Sequence, residues 1–268
     1  MGWKTITRSV RGTRHCQQNL SCQDYGLTQV QQGWVMGVVA DGAGSAAHSD
    51  QGAAIAVQTM LNHLASRDWA ILNQDNSDDS TQGILYKRFV SGLKTVQNAL
   101  QIQAQQGGYP INSLACTLLG FVATPTGLAA FQVGDGFIVV QLATDPDSQA
   151  PSSPYQLLFP PDKGEYANQT TFVTSEEAIA TLQSHVLLQA PTFICASTDG
   201  LDPVAIRRPD LIPFAPFFQP LNDYLAETTN PEQDDTYIMT FLQSERLNQR
   251  TDDDKTLLLC RYSHSAKI

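Results

Sequence analysis

The chain is 268 residues long, with 42% hydrophobic and 16% charged residues and a formal net charge of −10. That length buries about three quarters of the surface an unfolded chain exposes, and the composition is that of an ordinary folded protein. The acidic balance argues against nucleic-acid binding, because bare phosphate backbones would be repelled, and no apolar run approaches the ~18 residues of a membrane span.

Residues 3–10 and 25–31 read as strands separated by a polar, Gly-containing loop, and WVMGVVAD at 34–41 is a strong β run. Over 49–67 the period changes, and Ala53, Val57, Met60, Leu61 and Leu64 share one helical face. The polar stretch NQDNSDDSTQG follows. A second helix spans about 82–106, with Leu85, Phe89, Leu93, Val96 and Leu100 on one face and Gly107-Gly108 as its stop. Strands are expected at 115–124, 127–135 and 136–143, and their short connections predict an antiparallel meander. Residues 144–175, rich in Pro, Asp, Ser and Gly, predict a long excursion around a short strand at YQLLF. HVLLQ (185–189) and PTFICASTD (191–199) are further strands, 203–248 reads as mostly helical and broken by prolines, and KTLLLCRY (255–262) closes as a strand. This order predicts an α+β fold with antiparallel sheets, in one domain spanning 1–268.

Cys16, Cys22, Cys116, Cys195 and Cys260 are odd in number and widely spaced, and the last three lie in apolar runs. They read as reduced thiols, which with an N-terminus lacking an apolar h-region predicts a cytoplasmic protein.

The chemistry lies in the acids. Apolar runs end in Asp-Gly at Asp41-Gly42, Asp135-Gly136 and Asp199-Gly200, and TDDDKTLLL places Asp252, Asp253 and Asp254 before another apolar run. Carboxylates at strand ends can converge in one cleft, where they repel unless cations neutralise them. Asp-Gly is also a hairpin turn, and for Asp135, between two β runs, turn and ligand both stay open. Asp41 leads into a helix and Asp199 into a Pro-broken helical region, so neither needs a hairpin. Oxygen ligands suit Mg²⁺ or Mn²⁺, whereas His15, His48, His63, His185 and His264 show no zinc spacing. Two such ions about 3.5–4 Å apart would activate water, hold a phosphoryl oxygen and neutralise charge in an in-line displacement. No P-loop or GxSxG elbow points to another phosphoryl or acyl chemistry.

CQDYG (22–26), VVADGAGSAAHSDQGA (38–53), VGDG (133–136), STDGL (197–201) and DDKTLLL (253–259), in that order, resemble the metal-dependent serine/threonine phosphatases of the 2C type. The likeness is to the bacterial branch with Gln-Asp near its N-terminus, and GEYANQT (164–170) resembles a stretch of that branch. The resemblance implies a four-layer α-β-β-α sandwich, two face-to-face antiparallel sheets flanked by helices, with metals at one end. It implies that Asp41 bridges two Mn²⁺ or Mg²⁺ ions and that the Gly42 carbonyl binds the second. Asp199 and Asp253 would bind the first, Asp24 would hold a metal-bound water, and Asp135 with Asp199 would form a weaker third site. Asp254 stands where the family more often has Asn.

Two positions depart from the pattern. Gln23 replaces a frequent Glu, and Asn19 stands where many relatives carry a phosphate-binding Arg. Arg11, Arg14 and His15 lie nearby. Arg14 is the candidate for phosphate contact and His15 a candidate general acid. The implied activity is hydrolysis of phosphoserine and phosphothreonine in proteins by direct attack of a metal-bridging hydroxide, opposite a cognate kinase system. The alternative motivated by Asn19 and Gln23 is an inactive relative that binds phosphoproteins or regulates them.

Overall fold

Alternation within the apolar runs decides the layers. The computed structural model describes residues 2–73, 79–143, 154–159 and 170–263. The chain opens with β1 (Gly2–Val10) and a short helix α1 (Thr13–Gln18), then a hairpin of β2 (Tyr25–Gln31) and β3 (Trp34–Ala40). Gln32 and Gly33 turn this hairpin, both at positive φ, the geometry that matches the twist of its strands. Helices α2 (Ser49–Ala65) and α3 (Asp79–Gly107) follow. Next come β4 (Leu118–Ala123), β5 (Leu128–Val133), β6 (Phe137–Leu142) and the two-residue β7 (Gln156–Leu157). Strands β8 (Gln183–Leu187) and β9 (Pro191–Ser197) lead to α4 (Asp202–Ala205) and a small ribbon of β10 (Ile206–Arg207) and β11 (Ile212–Pro213). Helices α5 (Ala215–Glu227), α6 (Thr236–Gln243) and α7 (Glu245–Asn248) precede the closing strand β12 (Lys255–Ser263).

Two five-stranded sheets result, ordered β1-β12-β9-β6-β7 and β2-β3-β4-β5-β8, and every pairing is antiparallel. In β3, Val35 and Val39 point between the sheets while Met36, Val38 and Ala40 point to α2 and α3. In β12, Leu258 and Cys260 point between the sheets while Leu257 and Leu259 point to α5 and α6. Each central strand is covered on both faces, so it reads as a continuous apolar run instead of alternating with polar residues. Three apolar cores separate four layers: helices, sheet, sheet, helices. The expected α-β-β-α sandwich is therefore present. The two predicted helical faces, Ala53 through Leu64 and Leu85 through Leu100, are fully or almost fully buried.

Two expectations need correction. The meander over 115–143 holds only for β4 and β5. β5 pairs next with β8, whereas β6 pairs with β9 in the other sheet, so the chain crosses between sheets at Gly134–Gly136 and Asp135 is not a hairpin turn. The polar loop after β1 contains α1. The region 203–248 is mostly helical, as expected, and also holds the short β10-β11 ribbon. The excursion expected over 144–175 is described only at 154–159 and from 170 onward, so most of GEYANQT and the 74–78 stretch lie outside the described residues, as does His264.

Candidate metal centre

Strand register brings the acids to one end of the two sheets. Tyr25 pairs with Ala40, so Asp24, before β2, and Asp41, after β3, flank the open end of one hairpin. Ser197 pairs with both Phe137 and Leu257. That puts Asp135, before β6, Asp199, after β9, and Asp253, before β12, at the corresponding end of the other sheet. Thr117 fastens Asp41: the Asp41 N–H donates to Thr117 Oγ1 at 3.0 Å, and the Thr117 N–H returns to the Asp41 carbonyl at 2.8 Å. The Gly42 N–H donates to the Gln23 carbonyl at 3.1 Å, tying the QD segment to the first Asp-Gly pair. At Gly200 a Cβ would stand 1.9 Å from the Asp254 carbonyl oxygen, so this second glycine permits close approach of backbones.

Burial and mutual repulsion dominate the electrostatics of these acids, with Arg14 paired to Asp253 at their edge. Burial, then the charges of Asp24 and Asp199, push the Asp41 carboxyl up to about 11. Burial is also the main cause that lifts Asp24 and Asp199 to about 7. Asp24 is held by Thr198, whose Oγ1 donates to Asp24 Oδ2 at 2.6 Å. After burial, Asp135 is the largest influence on Asp199, and Thr170 Oγ1 donates to Asp135 Oδ2 at 2.6 Å.

Among the described residues no three His, Cys, Asp or Glu side chains already stand together as a ready ligand cage. The Thr198 and Thr170 hydroxyls donate to Asp24 and Asp135, and the charges of neighbouring acids raise the pKa of Asp41 and Asp199. The donor set nevertheless fits hard divalent ions, being carboxylate oxygens at strand ends with a neutral amide beside them. Gln23 supplies an independent sign: its Oε1 is buried and has no hydrogen-bond partner. A methyl group at Gly44 would lie 4.0 Å from both that oxygen and Arg14 Nη2, so the orphaned oxygen and the guanidinium share one neighbourhood.

A family model described as Protein phosphatase 2C matches residues 11–243. The chain belongs to the protein phosphatase 2C family. It is 32% identical over 270 residues to Serine/threonine-protein phosphatase 3 of Escherichia coli (strain K12), covering 98% of this chain and 100% of that relative. The structure of Serine/threonine phosphatase Stp1 from Staphylococcus aureus superposes with a TM-score of 0.59 at 12% identity, over 98% of this chain and 96% of that one. PppA of Pseudomonas aeruginosa, a key regulatory component of T6SS, superposes with a TM-score of 0.57 at 17% identity, over 97% and 98%. At these identities the two structures speak for the fold alone. Membership in the 2C family makes the chain a protein serine/threonine phosphatase with phosphoprotein substrates, in a family that depends on Mn²⁺ or Mg²⁺.

Within this 2C phosphatase the acidic triplet divides. Asp254 is buried and fully engaged: Oδ1 accepts from the Gly12 N–H at 2.6 Å, and Oδ2 accepts from the Gln23 N–H at 2.6 Å and faces His15 Nδ1 at 2.9 Å. Asp253 is partly exposed, and its Oδ1 accepts from Arg14 Nη2 at 3.1 Å. The 2C match ends before both, and it is β12 that carries Asp253 to the centre. Asn19 adopts the left-handed conformation that ends α1, a role for which Asn is suited. Arg11 is spent locally, donating to Cys16 Sγ and to the Leu20 carbonyl. Arg14 remains at the mouth, on a helix whose Arg14 N–H is fixed to the Asp252 carbonyl at 3.0 Å.

Sequence reasoning missed the supports: Thr117, Thr170, Thr198 and Lys255. Lys255 is buried, with Nζ 3.0 Å from Asn248 Oδ1 and 3.4 Å from the Asp253 carbonyl. Burial lowers its pKa, while Asp254, Asp24 and Asp253 act in the opposite sense. Its one signal was position, a lysine placed between an acidic triplet and the apolar run of β12.

Proposed function

We propose that Asp41, Asp199 and Asp253, with the Gly42 carbonyl, hold two Mn²⁺ or Mg²⁺ ions, that Asp24 acts through a bound water, and that Asp135 with Asp199 serves a third, weaker site. When bound, the ions supply Lewis acidity toward water and the phosphoryl oxygens and neutralise charge as phosphorus is displaced. The chain's own residues do the rest. Arg14, oriented through one nitrogen by Asp253, presents its remaining donors to the substrate phosphoryl group in the place that Asn19 leaves open. Asp24, fixed by Thr198, keeps an acceptor aimed into the cleft. The Gln23 amide oxygen accepts from a water at the centre.

His15, expected as a general acid, is only 6% exposed and bonded to Asp254. It is better read as a positioning residue, which holds α1 and so Arg14 in place. The whole chain is read as one catalytic domain, because the site draws on both sheets. Its phosphoprotein substrates come from a cognate serine/threonine kinase system. A cytoplasmic place fits five free cysteines and, among the described residues, no helix long and apolar enough to cross a membrane.

One observation carries the reading: strand pairing and the Thr198–Asp24 hydrogen bond bring Asp24, Asp41, Asp199 and Asp253 to a single end of the sandwich, with Arg14 against Asp253. The test is Asp41→Ala and Asp199→Ala, assayed for Mn²⁺-dependent hydrolysis of an aryl phosphate and for Mn²⁺ binding by calorimetry. Both variants are expected to lose turnover and metal affinity together. Retained turnover in either would remove that acid from the mechanism, and a wild-type chain that binds Mn²⁺ without turnover would leave a phosphoprotein-binding module.

A further inference from the structure

A cavity of about 750 Å³ lies on the helical layer that covers the β1-β12-β9-β6-β7 sheet, and none of the acids of the metal centre lines it. Its floor is apolar: Ile206, Phe217, Leu221 and Leu247 are buried and belong to the core beneath. Phe214 and Tyr237 also line it, 39% and 45% exposed, although aromatic side chains gain much from burial. Arg207, Arg208, Arg246 and Arg250 complete its walls. Among the described residues only Arg208 of these has an ion-pair partner, Asp202. The chain has 16 basic and 26 acidic residues, so four arginines lining one apolar groove run against the protein's overall acidic balance.

The groove is continuous with the metal centre along the chain. Arg207 and Arg208 follow α4, which begins directly after the Asp199–Leu201 turn. Arg246 and Arg250 lie in and after α7, just before the stretch that holds Asp253. Both arginine-bearing segments therefore run into acids of the centre.

We propose that this groove docks an extended, acidic segment of the phosphoprotein substrate. Aromatic and aliphatic side chains enter the cavity, acids meet the arginines, and the phosphorylated residue reaches the metal centre. The proposal rests on the phosphatase reading above. Charge selects the occupant. The arginines are surface groups, with the Arg208 side chain 71% exposed, and they come from two separate segments. A compact anion calls for a few polar groups placed to converge on it in an enclosed pocket, whereas acids spaced along a peptide suit an exposed, divided set. Such contacts act mainly on encounter and selection, which is what an acidic enzyme needs to recruit an acidic protein.

The probe is a fluorescein-labelled, non-phosphorylated peptide alternating Glu with Phe and Leu, compared by anisotropy with the same peptide carrying Lys for Glu. The wild-type chain is expected to bind the Glu peptide about tenfold more tightly, with the preference falling as salt rises. Arg246→Glu combined with Arg250→Glu should abolish that preference while leaving aryl phosphate hydrolysis unchanged, which also shows that the variant folds. For a phosphothreonine peptide with the Glu tail, the same variant should raise KM about tenfold without lowering kcat. Equal binding of the two peptides, or a preference kept by the variant, would overturn the proposal. Saturable binding of laurate with no binding of the Glu peptide would also overturn it, and would assign the groove to a small amphiphile. Anisotropy needs no turnover, so an inactive wild-type chain that still prefers the Glu peptide would sink the phosphatase reading and leave the docking groove standing.

Discussion

Asp253 and Asp254 are adjacent, yet they do opposite work. The loop just before β12 leaves one carboxylate partly exposed beside Arg14 and buries the other, where backbone N–H groups of Gly12 and Gln23 and the ring of His15 surround it. A buried carboxylate can accept all of these donors, but an amide can accept on one oxygen only and must turn its own NH₂ toward another donor. Asp254→Asn should therefore destabilise the metal-free protein by about 1–3 kcal/mol, read as a lower midpoint in urea unfolding. An unchanged midpoint would mean that Asp254 is not the hub of this loop. Both Asp254 oxygens accept from a backbone N–H, so an Asn there must set its NH₂ against the N–H of Gly12 or of Gln23.

Among the elements, α1 sets the phosphate grip. It has six residues and no side-chain cap, too little for independent stability, and tertiary contacts hold it. Gly12 is the tightest of these: a Cβ there would meet the Asp252 carbonyl oxygen and the Asp253 carbonyl carbon at 2.3 Å, backbone atoms that cannot swing away. Gly12→Ala must lift α1, breaking the Arg14 N–H bond to Asp252 and carrying the guanidinium off Asp253. The expected loss is about tenfold to a hundredfold in kcat/KM for an aryl phosphate, with Mn²⁺ affinity changed less. Parallel steady-state kinetics and calorimetry check this, and an unchanged kcat/KM would exclude α1 from phosphate binding. The long elements were legible because their apolar periods are strong, as in Ala53–Leu64 and in KTLLLC. α1 was not, since a short polar helix has no period to read. Nor was the crossing at Asp135: a Gly-Asp-Gly link serves a hairpin or a passage between sheets equally well, and only the pairing of β5 with β8 and of β6 with β9 decides. The acids were legible as residues; the threonines that hold them were not, because Thr117 and Thr198 adjoin apolar strands, where threonine reads as ordinary β composition, and Thr170 lies outside any strand.

At the scale of the molecule, three apolar cores fix two sheets so firmly that carboxylates are held together at their common end against their own repulsion. That arrangement makes the stability of the metal-free protein depend on pH in a definite sense. Asp24 and Asp199 rise from an ordinary 3.8 to about 7 in the fold, and Asp41 rises further. Between those values the native state keeps protons that the unfolded chain has released, so the contribution of these groups is fully present below their ordinary pKa and is lost as pH climbs through about 7. Divalent cations replace the protons and bind only the deprotonated carboxylates, so their stabilisation grows as pH rises. Thermal unfolding with EDTA should show a falling Tm from about pH 5 to about pH 8, and added Mn²⁺ should raise Tm more at the upper end than at the lower. Asp41→Asn removes one raised carboxyl and should flatten both trends. A metal-induced rise in Tm that is the same across this range would show that the converging acids are not where the cations bind.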